Sequence, residues 1–251
     1  MKTMIPAIAL LSLAAVGAAA QDNAQTSRSF DVRGFDRIDL GGCDVATVTL
    51  GAAYAVTVQG RAANIDNVRV ETIGSTLRIG RRNNSCNGHD RRVAIAITMP
   101  SLAAVSLSGA TELTLPALDA RLFEARASGA SVLRIAAWRG GSARFDLSGA
   151  SDATVRAVHG DALTLDLSGA SEFQAEGDVG RLTIGGSGAS SAHTRTLSAP
   201  DMALSASGTA SIQVGDAEQA RIDASGMAKV TVAGHPRCTV GKSGLARVTC
   251  G

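Results

Sequence analysis

Apolar and polar residues alternate on both sides of a Ser-Gly dipeptide that recurs eight times between residues 108 and 244. Apolar side chains predominate four and six residues after each glycine, and polar side chains stand between them. The same alternation precedes the glycine, with apolar residues predominating four and two positions before it. A period of two is typical of a β-strand that buries one face. Each repeat is therefore predicted to contain a strand, a bend at Ser-Gly, a second strand and a second turn.

The repeats keep one order, and their glycines are 20, 20, 20, 19, 20, 18 and 18 residues apart. This order predicts that each coil lies parallel on the last, so that like residues stack in columns. A hairpin meander would invert alternate copies, and a leucine-rich repeat would carry a recurring Asn or Cys. The pattern therefore predicts an all-β, single-stranded parallel β-helix, or β-solenoid, of about 18–20 residues per coil. The column three residues before the glycine should face outward: Ser106, Arg126, Asp146, Asp166, Gly185, Ser205, Asp223 and Gly241.

The Ser-Gly-Ala-Ser sequence at the bends is predicted to be structural. Glycine adopts backbone angles that other residues reach only at a cost. Serine hydroxyls can hydrogen-bond along the stack or to the backbone. A nucleophile array would need a His or an acid recurring beside the serines, and none recurs. We interpret the motif as a row of corners rather than a binding or catalytic site.

The N-terminal half also alternates, but without the Ser-Gly spacing. Strands are predicted at Phe35–Leu40, Val45–Leu50, Ala55–Gln59, Val68–Glu71, Thr76–Ile79 and Val93–Met99. We interpret them as irregular coils that cap the N-terminal end of the stack, which would otherwise expose unpaired backbone. One domain over residues 30–251 is therefore favoured, preceded by a flexible polar lead-in over residues 21–29.

The chain begins with the features of a secretory signal peptide. Lys2 precedes a short apolar run that ends in Ala18-Ala19-Ala20, so residues 1–20 are predicted to be removed. The alternative is a membrane anchor, but a run of about a dozen residues spans a bilayer poorly. The mature protein is expected to be exported, periplasmic or extracellular, with no membrane span.

Four cysteines in an exported chain suggest disulfides, and their spacing favours Cys43 with Cys86 and Cys238 with Cys250. Cys238 and Cys250 fall in inward columns of the last coil, which such a bridge would pin. A zinc site lacks the required Cys-x-x-Cys or nearby His pair, and His235 near Cys238 is only a weak metal signal. No cofactor or metal is predicted.

Charge and aromatic content narrow the range of ligands. The formal net charge is +2 and falls to about +1 without Lys2, so nothing indicates nucleic-acid binding. The chain has one Trp and one Tyr, which weakens the case for clefts that stack sugars or single-stranded nucleic acids on aromatic faces.

Two groups of charged residues are candidate ligand-facing sites. Arg81, Arg82, Arg91 and Arg92 flank one polar turn and could bind an anionic glycan or lipid headgroup, although a solvated loop tied down by Cys86 is the alternative. Asp146 and Asp166 should be neighbours, about 4.8 Å apart, on the outward column. Such a pair could bind a cation or perform acid–base chemistry, and a solvated strand face is the alternative.

The repeated corners carry a resemblance to a known family. Asp146-Leu147-Ser148-Gly149-Ala150-Ser151 and its copy at residues 166–171, after a strand-rich start, resemble the bacterial head GIN domain family of auto-transporter adhesins. The resemblance covers about residues 30–251. It implies a right-handed β-helix and an exported bacterial protein, and it supplies no catalytic residues.

Three functions are compatible with these features. The first is a non-enzymatic adhesin or cell-envelope binding module of unknown ligand, with a glycan or another envelope component as the expected partner. The second is a polysaccharide lyase or hydrolase, but the nearly constant coil length leaves no room for the long loops that build such clefts. The third is a purely structural envelope protein.

Overall fold

The structure, a computed structural model of the chain, describes residues 25–83, 86 and 91–251. The predicted signal peptide, residues 1–20, lies outside the described residues. Strands form where the sequence alternates between apolar and polar positions, and all six strands predicted before residue 100 are present within a few residues of their expected bounds. The strands are β1 Gln25–Phe30, β2 Arg37–Gly42, β3 Val45–Leu50, β4 Ala55–Arg61, β5 Val68–Ile73, β6 Thr76–Arg81, β7 Ala94–Met99, β8 Ala104–Gly109, β9 Glu112–Asp119, β10 Leu122–Ala127, β11 Val132–Leu147, β12 Asp152–Leu167, β13 Glu172–Gly186, β14 Ser191–Ser198, β15 Asp201–Ala206, β16 Ser211–Asp216, β17 Gln219–Ala224, β18 Lys229–Ala233, β19 Arg237–Lys242 and β20 Arg247–Cys250. One short helix, α1 Ala62–Asp66, follows β4.

From β8 onward each coil lies parallel on the previous one, in the register that the glycine spacing predicts. Leu133 pairs with Leu113 in the preceding coil and with Ala153 in the following coil. The outward column is also continuous, since Asp146 pairs with Arg126 on one side and with Asp166 on the other. The prediction of an all-β parallel solenoid is therefore confirmed.

The corners depend on the backbone angles of glycine. The eight corner glycines have φ between 69° and 84°, a region that other residues rarely enter. The hydrogen-bond ladder continues through the bend, because the N–H of Ala150 donates to the carbonyl of Gly129 at 2.7 Å and that of Ala170 to Gly149 at 2.7 Å. The glycine column thus stacks backbone directly on backbone.

One hydrophobic core fills the interior from Phe35 to Val232. Phe145 contributes to it from the strand before a corner and Phe173 from the strand after one, and their ring centroids are 5.0 Å apart in an edge-on arrangement. Trp138 is 1% exposed, and its ring fills the space beside Gly160. This single Trp of the chain is therefore an intrinsic probe of the solenoid core.

The N-terminal strands cap the stack, but their order along its axis differs from their order in the chain. Strand β2 lies between β6 and β8, and β3 lies between β7 and β9, all in parallel. Gly42 pairs with Gly109, so β2 and β3 form a coil in register with the Ser-Gly repeats. Beyond β6 and β7 the direction changes, because β5 pairs antiparallel with β6 and β4 antiparallel with β7. The side chain of Ile65 in α1 is buried in the core.

The flexible lead-in expected at residues 21–29 requires a correction. In its described part, from residue 25, the chain is not a lead-in but strand β1, which pairs antiparallel with β4 along its whole length. Its side chains are mostly exposed and polar, so apolar periodicity gave no signal. Backbone pairing with β4 forms the strand, and the ion pair of Arg28 with Asp66 and the packing of Phe30 against the core add to it.

Both cysteine pairs are disulfides in the structure, in the pairing that the spacing favours. Cys43 and Cys86 have a Cα–Cα distance of 5.9 Å, and Cys238 and Cys250 one of 6.6 Å. The second bridge links β19 to β20 and closes the final coil. Among the described residues, no helix is long and apolar enough to span a bilayer.

Candidate functional site

Two serine columns flank the corner glycines, and burial separates them. The serines two residues after the glycine are buried, and the hydroxyls of Ser131 and Ser151 each donate to a carbonyl three residues earlier at 2.9 Å. These hydroxyls complete the corner. The serines immediately before the glycine, such as Ser148 and Ser168, are only partly buried and make long contacts of 3.5 and 3.4 Å with the preceding coil. Their hydroxyls remain accessible to a ligand.

The accessible serines form one wall of a groove with a volume of about 590 Å³. We call it the corner groove. Its other wall is the outward column from Ser106 to Ser205, and the serine wall runs from Ser128 to Ser207. The groove therefore extends over six coils, or about 24 Å at a strand spacing of about 4.8 Å. The sequence predicted the outward column, but the serines were interpreted as corners alone, and the groove along the two columns was not anticipated.

The N-terminal part of the corner groove is charged. Arg126 and Asp146 line it, with the guanidinium Nε 3.6 Å from a carboxylate oxygen. Arg144 pairs with Asp146 at 3.0 Å and also with Asp166. The hydrogen bond to Asp146 and the charge of Asp166 raise the pKa of Arg144 above its ordinary value. The structure thus brings Asp146 and Asp166 together as expected, but with one guanidinium shared between them.

The C-terminal part of the corner groove is neutral and lined by small residues. Gly185 and Ser205 continue the column beyond Asp166, beside Ser187 and Ser207. Gly185 has no positive φ, and the nearest atom to a Cβ there would be a carboxylate oxygen of the flexible Asp166 side chain, at 3.1 Å. The narrow side chains keep the groove open, and a larger residue at Gly185 would fill it without backbone strain.

The four arginines around the polar turn do not converge on one surface. The Arg81 side chain is 2% exposed and forms an ion pair with Asp44, which is fully buried. The expectation that Arg81 faces a ligand is therefore wrong, because its guanidinium is buried inside the cap in an ion pair with Asp44. Arg92 pairs with Glu112 at 2.9 Å, while Arg82 and Arg91 are exposed. The tip of the turn, residues 84–85 and 87–90, lies outside the described residues.

The strand that follows the corner Ser148-Gly149-Ala150-Ser151 carries a carboxylate with a perturbed pKa. Partial burial raises the pKa of Asp152 above 3.8, Glu172 on the next coil raises it further, and Arg134 opposes the shift. The described residues contain no group of three His, Cys, Asp or Glu side chains that could hold a metal ion.

Replacing Asp152 with Asn should raise the melting temperature at pH 7. A raised pKa in the folded state means that ionisation of Asp152 disfavours folding, so the amide removes a cost that exists only above that pKa. The gain should disappear as the pH falls through the raised pKa towards the ordinary value of 3.8. Thermal unfolding at pH 7 and pH 3, followed by Trp138 fluorescence, measures both. An equal gain at the two pH values would contradict the electrostatic cause.

Comparison with known families and structures gives one family. The model described as "Putative auto-transporter adhesin, head GIN domain" matches residues 34–236. The match includes the whole corner groove and ends before the last coil. No curated protein matches the chain.

Several solved structures share the fold. A putative adhesin from Parabacteroides distasonis has a TM-score of 0.76 and 16% identity, over 91% of this chain and 98% of that one. A putative lipid binding protein from the same organism has a TM-score of 0.78 and 16% identity, over 89% and 96% of the two chains. A putative adhesin from Parabacteroides merdae has a TM-score of 0.77 and 12% identity, over 89% and 95%. At such identities the likeness establishes the solenoid architecture alone.

Proposed function

Because the chain belongs to the family described as putative auto-transporter adhesin, head GIN domain, we propose that it is an exported, non-enzymatic binding module that holds an extended glycan in the corner groove. The observation that carries this proposal is the groove itself, about 590 Å³ in volume and open along six coils. Its volume lies within the range of ligand-binding clefts. Two disulfides support export, since such bridges persist in oxidising compartments.

The chemistry of the groove suits a polyhydroxyl chain. Serine hydroxyls both donate and accept hydrogen bonds, and they recur at every coil along one wall. The charged part adds Arg126 as a donor and Asp146 as an acceptor. A linear polymer could thus repeat similar contacts from coil to coil, which a compact ligand could not.

None of the described residues that line the groove is aromatic, and Trp138 is buried in the core. Each sugar unit would then be held by hydrogen bonds worth about 1 kcal/mol each rather than by stacking. Affinity should accordingly be low for a disaccharide and rise with chain length until the ligand fills the groove. This dependence on length follows from the repeat.

The experiment is glycan binding by the protein and by the Gly185→Gln variant. The Gln side chain would occupy the neutral part of the groove, so affinity for a long glycan should fall at least about tenfold through the loss of two or more hydrogen bonds. An array of long and short glycans identifies the ligand, and titration calorimetry measures the change.

Gly80→Gln is the matched control. Gly80 lies in β6, outside the groove, and a Cβ there meets nothing within 4 Å. This variant should bind as the unaltered protein does. If Gly185→Gln binds as tightly as Gly80→Gln, the corner groove is not the binding site. If no glycan binds at all, a structural role in the envelope is favoured.

The enzyme alternative rests on Asp146 and Asp166 in the same groove. Arg144 pairs with both carboxylates, an arrangement suited to holding charge in place rather than to exchanging protons with a substrate. We therefore expect no cleavage of acidic polysaccharides. Turnover that disappears in the Asp146→Asn, Asp166→Asn double variant would favour the enzyme instead.

A further inference from the structure

The last two corners, at the C-terminal end of the solenoid, differ from the others in one column. The residue immediately after the corner glycine is Ala in the first five repeats and Thr in the sixth, and then it becomes Met227 and Leu245 in the last two. Both large side chains point into solvent, with exposed fractions of 62% and 75%. They lie on adjacent coils, so they form a paired apolar projection at one end of the molecule.

Cations surround this projection. Lys229 follows Met227 by two residues, and Arg247 follows Leu245 by two residues. The two cations occupy the same register position on the adjacent strands β18 and β20. Lys242 precedes the last corner, in a column that holds Ala206 and Ala224 in earlier coils. All three cations are exposed. We call these five residues, Met227, Lys229, Lys242, Leu245 and Arg247, the terminal patch.

No carboxylate side chain occurs after Asp223 in the printed sequence. Asp223 lies in the coil before the last, where Arg221 contacts its carboxylate at 3.6 Å. The charged side chains of the last coil are therefore all cations, whereas earlier coils mix both signs. Its positive potential faces solvent together with the apolar projection.

We propose that the terminal patch docks the protein on an anionic lipid bilayer. Exposed Met and Leu side chains on a turn can enter the interface between headgroups and acyl chains, while flanking Lys and Arg side chains remain with the anionic headgroups. A partner strand added to the edge of β19 would meet Lys242 in a column that is apolar or glycine in the earlier coils, and inward charges of this kind oppose strand addition. The charge pattern therefore favours a membrane surface over another chain.

The test is co-sedimentation of the protein with vesicles of phosphatidylglycerol and phosphatidylcholine, compared with vesicles of phosphatidylcholine alone. Binding is expected only to the anionic vesicles and should weaken with salt, because screening reduces the attraction. The Met227→Ala, Leu245→Ala double variant should bind at least about tenfold more weakly, since it loses the buried apolar surface. Alanine already occupies this column in five coils, so the fold should be retained.

A charge-reversal variant tests the electrostatic part. Lys229→Glu with Arg247→Glu should also lower binding at least about tenfold. The column accepts acids, because it holds Glu112, Asp152 and Glu172 in other coils. Every variant carries the same N-terminus, so any contribution from residues 1–24 cancels in these comparisons.

Leu122→Ala is the matched apolar control, because Leu122 is 70% exposed outside the terminal patch. It should leave vesicle binding unchanged, as should Gly185→Gln in the corner groove, which separates this proposal from the glycan proposal. Equal binding to both vesicle types, or equal binding by Leu122→Ala and the double variant, would overturn it. Self-association in solution that the double variant abolishes would assign the patch to a second copy of the chain instead.

Discussion

Replacement of Gly149 by Ala is expected to lower the free energy of unfolding by at least about 4 kcal/mol, or to prevent folding. Two penalties combine at this position. The φ of Gly149 is 73°, which disfavours any residue with a Cβ. In addition, the Cβ would lie 2.7 Å from the carbonyl oxygen of Gly129 in the preceding coil, far inside a normal contact distance.

The overlap is difficult to relieve because both coils are held by hydrogen bonds. The carbonyl of Gly129 accepts from Ala150, and that of Gly149 accepts from Ala170. Moving the two corners apart to make room for the Cβ would stretch these hydrogen bonds. It would also disturb the pairing of the adjoining strands on both sides. In a solenoid a displaced coil also loses contact with its neighbours, which supply most of its stability.

Substitutions at two other glycines measure the cost of the positive φ separately from the cost of the close Cβ contact. Gly74 has φ 59° but nothing within 4 Å of its Cβ position, so Gly74→Ala should cost only about 1 kcal/mol of backbone strain. Gly80 has neither feature, and Gly80→Ala should be nearly neutral. Urea unfolding monitored by Trp138 fluorescence gives the three values. If Gly149→Ala is no less stable than Gly74→Ala, close stacking of the corners does not limit the fold.

The columns of the regular coils could be predicted because connection lengths there are nearly constant. When each coil repeats after 18–20 residues, the spacing of one glycine fixes the register of its neighbours, and the alternation fixes which side chains point inward. The same reasoning identified the outward column that became one wall of the corner groove. The groove itself depends on how much space the side chains of these two columns leave, which the alternation of apolar and polar positions does not encode.

The stacking order of the strands in the N-terminal cap could not be predicted from the spacing of the glycines. Gly41 and Gly42 pair with Ser108 and Gly109, so the Ser-Gly register begins one coil earlier than the sequence indicated. The chain leaves this coil after β3, builds the cap and returns at β8, and so long an excursion hides the repeat. Arg81 is a related case, because its burial depends on Asp44, which is distant in sequence.

The second large effect is expected at this ion pair. Arg81→Met should lower the free energy of unfolding by about 3–5 kcal/mol, because it leaves the carboxylate of Asp44 buried without its counterion. Arg81 donates to Asp44 through Nε at 2.8 Å and also through Nη2. It further donates to the carbonyl of Arg91 at 2.6 Å. Removing the guanidinium therefore takes the Nε–H donor from Oδ2 of the buried Asp44 carboxylate and one donor from the Arg91 carbonyl.

The pair joins separate parts of the cap. Asp44 lies between β2 and β3, next to the disulfide-bonded Cys43, and it also accepts a hydrogen bond from the backbone N–H of Val93 at 3.0 Å. Arg81 ends β6. The contacts thus fix the entry and the exit of the polar turn against the first coil, which makes the pair a structural element rather than a ligand site.

A double-mutant cycle with Asp44→Leu distinguishes this role from simple loss of packing. The Asp44→Leu, Arg81→Met double variant removes both charges, so it should be less destabilised than the sum of the two single variants. Arg78→Met is the matched control, since Arg78 lies in the same strand and pairs with Asp39 at 3.1 Å, but with 55% and 32% of the two side chains exposed. An exposed pair of this kind should cost at most about 1 kcal/mol. Equal losses for Arg78→Met and Arg81→Met, or strict additivity in the cycle, would show that burial of the Asp44 charge does not govern the stability of the cap.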